Sequence, residues 1–228
     1  MTTKLDYLTL VRDRHSTRSY EHHPLTDTDR EDIAQAISSA VPLNTTDCLD
    51  WKLADKSIMG CSAVLYAQSG TATDDFVEYG YQGEQIVLAL LARGWGTCWY
   101  ARFRLPGSPC SITVGRPGTP GLLSAVIGAL SHEHTRKTIE QLVPAGIPAH
   151  SSPLVRTVVE SARLAPSAMN RQSWNFEVTS DTQIVVKGDA DRFPDLGICL
   201  ANAMVAARQL TGSATVTRLD SGTYRISW

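Results

Sequence analysis

The strongest constraint on how this chain can fold is that it carries a copy of part of itself. Residues 75–97, DFVEYGYQGEQIVLALLARGWGT, align without a gap to residues 192–214, RFPDLGICLANAMVAARQLTGSA. The alignment sets Phe76 on Phe193, Glu78 on Asp195, Gly80 on Gly197, Gln85 on Asn202 and Ala89 on Ala206. Each segment reads as a long apolar helix that begins at an acid and a glycine and ends near a glycine. Upstream, residues 32–57 match residues 156–181, with Pro42 on Pro166 and the tryptophans one residue out of register. Both stretches read as a helix stopped at proline, a polar loop, then a strand starting at tryptophan. Such a pattern predicts two copies of one unit related by an approximate two-fold axis, or else two unrelated helix–loop–strand units of an α+β protein.

The periodicity predicts helices to about Arg14, from Asp27 to Ala40, and over 76–93, 136–142, 153–164 and 195–210. Strands are expected near 51–56, 63–68, from Thr97, at 122–129, and as hairpins over 174–187 and 214–227. The prolines and glycines of RLPGSPCSITVGRPGTPG, 104–121, mark an irregular stretch. Interleaved helices and hairpins give an α+β chain with mixed sheet. The first repeat is expected to occupy 1–150 and the shorter second one 151–228, packed as one compact unit of 228 residues.

Composition narrows the class of function. A formal net charge of −2, with Lys and Arg scattered among Asp and Glu, leaves no basic stripe for a nucleic-acid backbone. Charges break the N-terminal segment every few residues, and no window holds the roughly 18 apolar residues of a membrane span, so a cytoplasmic location is expected. The five cysteines include no C-x-x-C pair, which fits reduced thiols rather than disulfides or structural zinc. His22, His23, His132 and His134 sit among polar residues and read as solvated loops, so no metal is expected.

Four stretches carry chemistry. In DRHSTRSYE, Arg14 and Arg18 can each offer a planar fork to a phosphate and Ser16 adds a donor; the same run also suits a solvated helix end. SHEHTRKTIEQL places Arg136 and Lys137 at a helix start, where cations oppose the helix dipole unless an anion lies nearby. In APSAMNRQSW, Ser167, Asn170, Gln172 and freed backbone N–H groups can meet a flat heterocycle along one edge. The structural alternative is that Pro166 stops the helix, Ser167 and Asn170 cap the turn, and Trp174 anchors the strand. RGWGTCWYARF leaves a helix at glycines and returns as an aromatic strand whose backbone can approach a ligand closely. No dinucleotide fingerprint, phosphate-binding loop, hydrolase elbow or metalloprotease helix is present.

Taken together, RHSTR, APSAMNRQSW, RGWGTCWY and IGALSHEHTRK resemble the segments of the FMN-dependent nitroreductase superfamily. In that family two FMN sites lie at a homodimer interface, with phosphate held by an Arg-x-Ser segment and the flavin met by a Pro-Ser segment. The Pro-Ser loop ordinarily follows the arginine segment by about thirty residues. Here that place holds VPLNTTDCLDW, and the preserved loop occurs instead in the second repeat, which has no arginine segment ahead of it. The chain therefore resembles a fused, degenerate dimer, a monomer acting as a pseudo-dimer with one site kept and one lost.

By position, the resemblance assigns the phosphate to Arg14, Ser16, Arg136 and Lys137, and the ribityl chain to His15. Arg18 falls toward the flavin N1/O2 edge, where positive charge favours the anionic reduced flavin. Pro166, Ser167 and Ala168 pass along the ring, Asn170 fixes the loop or touches the ring, and Trp99, Tyr100 and Ala101 approach N5 by backbone. The implied activity is an NAD(P)H oxidoreductase that reduces a planar electrophile such as a nitroaromatic or quinone, with no catalytic side chain. Serine after Gln172, and aromatics where the family has smaller residues near N5, depart from the pattern. They leave open a non-catalytic FMN-binding protein with the flavin face blocked by Trp99 or Tyr100, and a flavin-free remnant.

Overall fold

The structure, a computed structural model, describes residues 5–43, 48–119, 135–189 and 194–228. Its elements run α1 (Tyr7–Asp13), α2 (Asp27–Ser38), β1 (Lys52–Ala54), β2 (Ala63–Tyr66), α3 (Thr73–Leu91), β3 (Gly96–Tyr100) and β4 (Ser111–Gly115). They continue as α4 (Ile139–Leu142), α5 (Pro153–Arg163), a 3-10 turn (Ala168–Asn170), β5 (Trp174–Ser180), β6 (Gln183–Gly188), α6 (Asp195–Thr211), β7 (Thr215–Asp220) and β8 (Thr223–Ser227). The expected strand at 122–129 lies outside the described residues. One correction concerns 104–121: inside the stretch read as irregular, Ser111–Gly115 forms β4, fully buried between β2 and β3. Its run of three β-branched residues, Ile112, Thr113 and Val114, fits a strand buried on both faces, and the prolines and glycines on either side masked it.

The strands form two four-stranded sheets of order β1-β2-β4-β3 and β5-β6-β8-β7. The order is the same in both halves, and every ladder among the described residues is antiparallel. The α+β expectation is met by two copies of one topology. Each sheet builds a core with its own helices: Leu65, Ile112 and Val114 with Ile33 and Ile86 in the first, Phe176, Ile184 and Tyr224 with Val155 and Met204 in the second. α5 shows why such helices form. Pro153 starts it, and Val155, Val158, Val159 and Ala162 recur at helical spacing and are all buried. Burying each valine contributes about 1.5 kcal/mol or more.

The halves meet along α3 and α6, at two glycines equivalent in the repeat. A Cβ on Gly80 would stand 2.0 Å from the Pro194 carbonyl oxygen, and one on Gly197 would stand 1.9 Å from that of Val77. Val77 and Pro194 are themselves equivalent positions, so the contact is reciprocal, as at a two-fold interface. α3 also sends Val77 and Tyr81 into the second core.

α1 crosses between the halves. It packs against α6, where the Tyr7 N–H donates to Gln209 Oε1 at 2.6 Å and Gln209 Nε2 donates to Asp6 Oδ1 at 2.7 Å. The segment after α1 is then tied to β3 by the Thr17 N–H, which donates to the Thr97 carbonyl at 2.8 Å. Residues that begin in the first repeat are thereby delivered to the side of the second. α2 is fastened behind them: Asp29 accepts bonds from Thr26, His23 and Arg116, and Arg116 lies 3.8 Å over the Trp95 ring. Hydrogen bonding from Thr26, with His23 and Arg116 adding to it, holds the Asp29 carboxyl well below the usual range. Among the described residues no helix is long and apolar enough to cross a membrane, and no group of three metal-ligating side chains occurs.

Candidate functional site

A cavity of about 660 Å³ opens where the α1–β3 segment of the first repeat faces the 165–172 loop of the second. Arg14, His15, Ser16, Arg18, Trp99, Tyr100, Ala101, Arg136, Pro166, Ser167, Ala168 and Asn170 all line it. Arg14 and Ser167, which stand 153 positions apart in the sequence (167 minus 14), share one wall-to-wall space. Lys137 is placed differently. Its backbone N–H donates to Gln172 Oε1 at 2.8 Å and its ammonium to the Gln172 carbonyl at 3.0 Å, outside the cavity lining.

The loop is held from two sides. At its base, the Ala168 N–H donates to both Asp195 oxygens, at 3.0 and 3.1 Å, and Asp195 also lines the cavity. Burial pushes the Asp195 carboxyl up to about 6, against the lowering effects of the Ala168 N–H and Arg171. From outside, Asn170 Nδ2 donates to the Thr135 carbonyl at 2.9 Å, and Arg136 donates to Asn170 Oδ1 and the Leu164 carbonyl. Asn170 thus serves as the loop's fastener. Ser167 Oγ accepts the Gln172 N–H at 2.9 Å and closes the turn. Met169, Asn170 and Gln172 adopt φ of 52°, 55° and 49°, a left-handed geometry costly for non-glycine residues and typical of ligand-contacting segments. Met169, with 85% of its surface exposed, stands at the cavity as a bare apolar side chain.

On the facing wall, the Trp99 ring is folded back against α3. A Cβ on Gly83 would lie 2.4 Å from Trp99 Cη2, so only glycine leaves room for the indole there. The indole N–H donates to Glu84 Oε2 at 2.8 Å. Glu84 is fully buried, and Arg14, with 6% of its side chain exposed, sets its Nε 3.9 Å from Glu84 Oε1. Among the described residues neither of those two atoms has a hydrogen-bond partner. Burial pushes the Glu84 carboxyl up to about 7, opposed by Arg14, by the Trp99 bond and by Arg136.

Several lining residues were not singled out by the sequence, even where they fall inside its motifs, as Arg102 and Arg171 do. Arg12, Arg102, Arg104 and Arg171 join Arg14, Arg18 and Arg136 to give seven lining guanidiniums against one lining carboxylate, Asp195. Nothing local in the sequence separates Arg102 and Arg104 from solvated loop charges; their proximity to the second repeat is a product of the fold. Asp195 was signalled by its match to Glu78, and Glu84 by being an acid on an apolar helix face where the other repeat has Ala201. All five cysteines are free thiols; Cys98 and Cys110 line the cavity, and burial raises the Cys110 pKa.

Comparison with known proteins bears on this geometry. The family described as "Putative TM nitroreductase" matches residues 6–207. A crystal structure of a putative nitroreductase from Thermotoga maritima MSB8 is 29% identical and superposes with a TM-score of 0.81, covering 100% of this chain and 95% of that one. A nitroreductase with bound FMN from Bacteroides fragilis is 12% identical, with a TM-score of 0.40, and covers 52% of this chain and 92% of that one. An FMN-dependent nitroreductase from Clostridium difficile is 14% identical, with a TM-score of 0.41, covering 49% of this chain and 88% of that one. No curated protein matches the sequence.

Proposed function

Because the chain belongs to the Putative TM nitroreductase family, we propose that it is an FMN-dependent oxidoreductase that draws reducing equivalents from NADH or NADPH and delivers them to a planar electrophile such as a nitroaromatic or a quinone. The observation that carries this reading is the single cavity joining the arginine segment of the first repeat to the Pro-Ser loop of the second. We further propose that the repeats divide near residue 150, with the phosphate cradle in the first and the ring-edge loop in the second.

The residues present suit a flavin mononucleotide. About 660 Å³ lies within the usual range of small-molecule sites. The buried Arg14 Nε has a donor to spare, as an anion site requires. In this reading Arg14 and Ser16 hold the phosphate, with Arg136 adding charge from the far side and His15 beside the ribityl chain. Lys137 acts one step removed, by fixing Gln172. Arg18 supplies positive charge at the edge where reduced flavin is anionic. Pro166, Ser167 and Ala168 border the ring on one side, and Trp99 to Ala101 border it on the other.

Bound FMN would accept a hydride equivalent and pass electrons on to the second substrate. The chain's own work is binding, orientation and exclusion of water. With its ring folded against Gly83 and bonded to Glu84, Trp99 adds to the wall rather than projecting from it. That speaks against Trp99 as the group that would block the substrate face in the non-catalytic alternative. The exposed guanidiniums of Arg102, Arg104 and Arg171 make the cavity attractive to anionic reductants such as nicotinamide dinucleotides.

The test is the visible spectrum of the purified protein before and after anaerobic NADH or NADPH. Flavin absorbance that bleaches with either is expected. A flavin that stays oxidised identifies a binding protein, and a colourless preparation that takes up no added FMN ends the reading.

A further inference from the structure

Glu84 is a charged group in an unusual position for a scaffold: on α3, fully buried, behind two residues that line the cavity. One oxygen accepts the Trp99 indole N–H at 2.8 Å, while the other faces Arg14 Nε at 3.9 Å, too far for a hydrogen bond. Both atoms of that gap are buried without hydrogen-bond partners among the described residues. The scaffold does not require an acid here, because the equivalent position of α6 is Ala201, also fully buried. Among the described residues, the ionisable groups acting on Glu84 are Arg14, at the end of α1, and Arg136, ahead of α4.

We propose that Glu84 is a positioning residue that competes with the cofactor's phosphate for Arg14, so that seating the phosphate is coupled to uptake of one proton by the Glu84 carboxyl. The inference rests on the FMN reading above. Without ligand, the carboxylate and the guanidinium compensate each other. A phosphate dianion at Arg14 draws that charge away and adds a repulsive one, so the buried carboxylate can no longer afford ionisation and takes a proton from the solvent. Burial already brings Glu84 to about 7, so a modest further rise carries it through the physiological range. The neutral acid still accepts the Trp99 N–H, and the wall of the cavity stays in place.

The sign follows from linkage. Binding that takes up a proton weakens as pH rises. The phosphate's own second pKa is about 6, so at pH 8 it is already a dianion and releases nothing on binding to arginine. FMN-free full-length protein is titrated calorimetrically with FMN at about pH 8 in two non-phosphate buffers of different ionisation enthalpy. The expected result is uptake of more than half a proton with FMN and none with riboflavin, which lacks the phosphate. The FMN dissociation constant should rise about five- to tenfold between pH 7.5 and 8.5. In Glu84→Gln, which keeps an oxygen for Trp99, uptake disappears and the affinity becomes independent of pH over that interval.

FMN binding by the wild-type protein with equal heats in both buffers overturns the inference and leaves the FMN reading intact. So does equal uptake with riboflavin, or uptake that persists in Glu84→Gln. Failure of FMN to bind at all overturns both. The wild-type comparison of FMN with riboflavin decides the matter even if the variant does not fold.

Discussion

The two halves of this molecule share a scaffold and differ in what their loops are bonded to. In the second half the loop after the proline faces the cavity; in the first, the described residues on either side of the corresponding loop are bonded to α3. Leu43 donates its N–H to Glu78 at 2.8 Å, just as Ala168 donates to Asp195. Gln82 then accepts the Leu49 N–H at 2.9 Å and the Trp51 indole N–H at 3.3 Å, and Gln85 accepts the Val41 N–H at 3.2 Å and donates to its carbonyl at 3.0 Å. The matching residues of α6 are Asp195, Cys199 and Asn202. The acid and the amide are each one methylene shorter, and a glutamine has become a thiol. The Asn202 amide and the Trp174 indole N–H are accordingly buried without hydrogen-bond partners among the described residues. Shorter side chains on the second helix leave the loop's polar groups for other uses, so a site can be gained or lost without disturbing the duplicated core.

The largest expected effect tests whether the core really is duplicated. Gly80→Ala and Gly197→Ala each drive a methyl into the opposing backbone, which neither helix can relieve by a side-chain rotation. Each should cost about 3 kcal/mol or more, a fall in Tm of roughly 6–12 °C, and the two falls should agree. Thermal melts of the pair would break the comparison if one glycine were tolerated and the other were not.

That reciprocity was legible in the sequence because close helix crossing demands glycine at particular positions, and Gly80 and Gly197 fall together in the alignment. The convergence of Arg14 with Ser167 was legible too, through motifs whose chemistry makes sense only in combination. β4 was not, since five strand residues between prolines and glycines carry too short a period to outweigh them. Nor was the work of Lys137, which captures a carbonyl at Gln172 and so depends on a tertiary contact that no local pattern records. Arg102 and Arg104 were invisible for a related reason: the cavity they line is closed on its far side by the other repeat.

A second effect sharpens the contrast between the two repeats under the proposed function. Arg14→Ala removes a charge-assisted contact of about 1.5–3 kcal/mol, so the FMN dissociation constant should rise about ten- to 150-fold. Arg156, in the first turn of α5 in the second repeat, is exposed and does not line the cavity. Arg156→Ala should leave FMN binding unchanged. Equal losses in both variants, read by fluorescence titration, would place the phosphate site somewhere other than the first repeat.

The smallest effect separates two acids that do the same local job. Asp195 and Glu78 each fix a loop by accepting its backbone N–H, but only Asp195 lines the cavity. Asp195→Asn should weaken that anchor by about 1 kcal/mol and raise the FMN dissociation constant about fivefold. Burial raises the Asp195 carboxyl to about 6, so its neutral form is the one the fold prefers. The stability it contributes is present below the ordinary carboxylate range and is lost as pH rises through about 6. Asparagine mimics the neutral form, so at pH 8 the variant should melt no lower than the wild type while binding FMN less well. Glu78→Gln should show the reverse: a Tm lower by roughly 2–4 °C for about 1 kcal/mol, with FMN binding intact. Loss of flavin affinity in Glu78→Gln would mean that the first repeat's loop still serves a site.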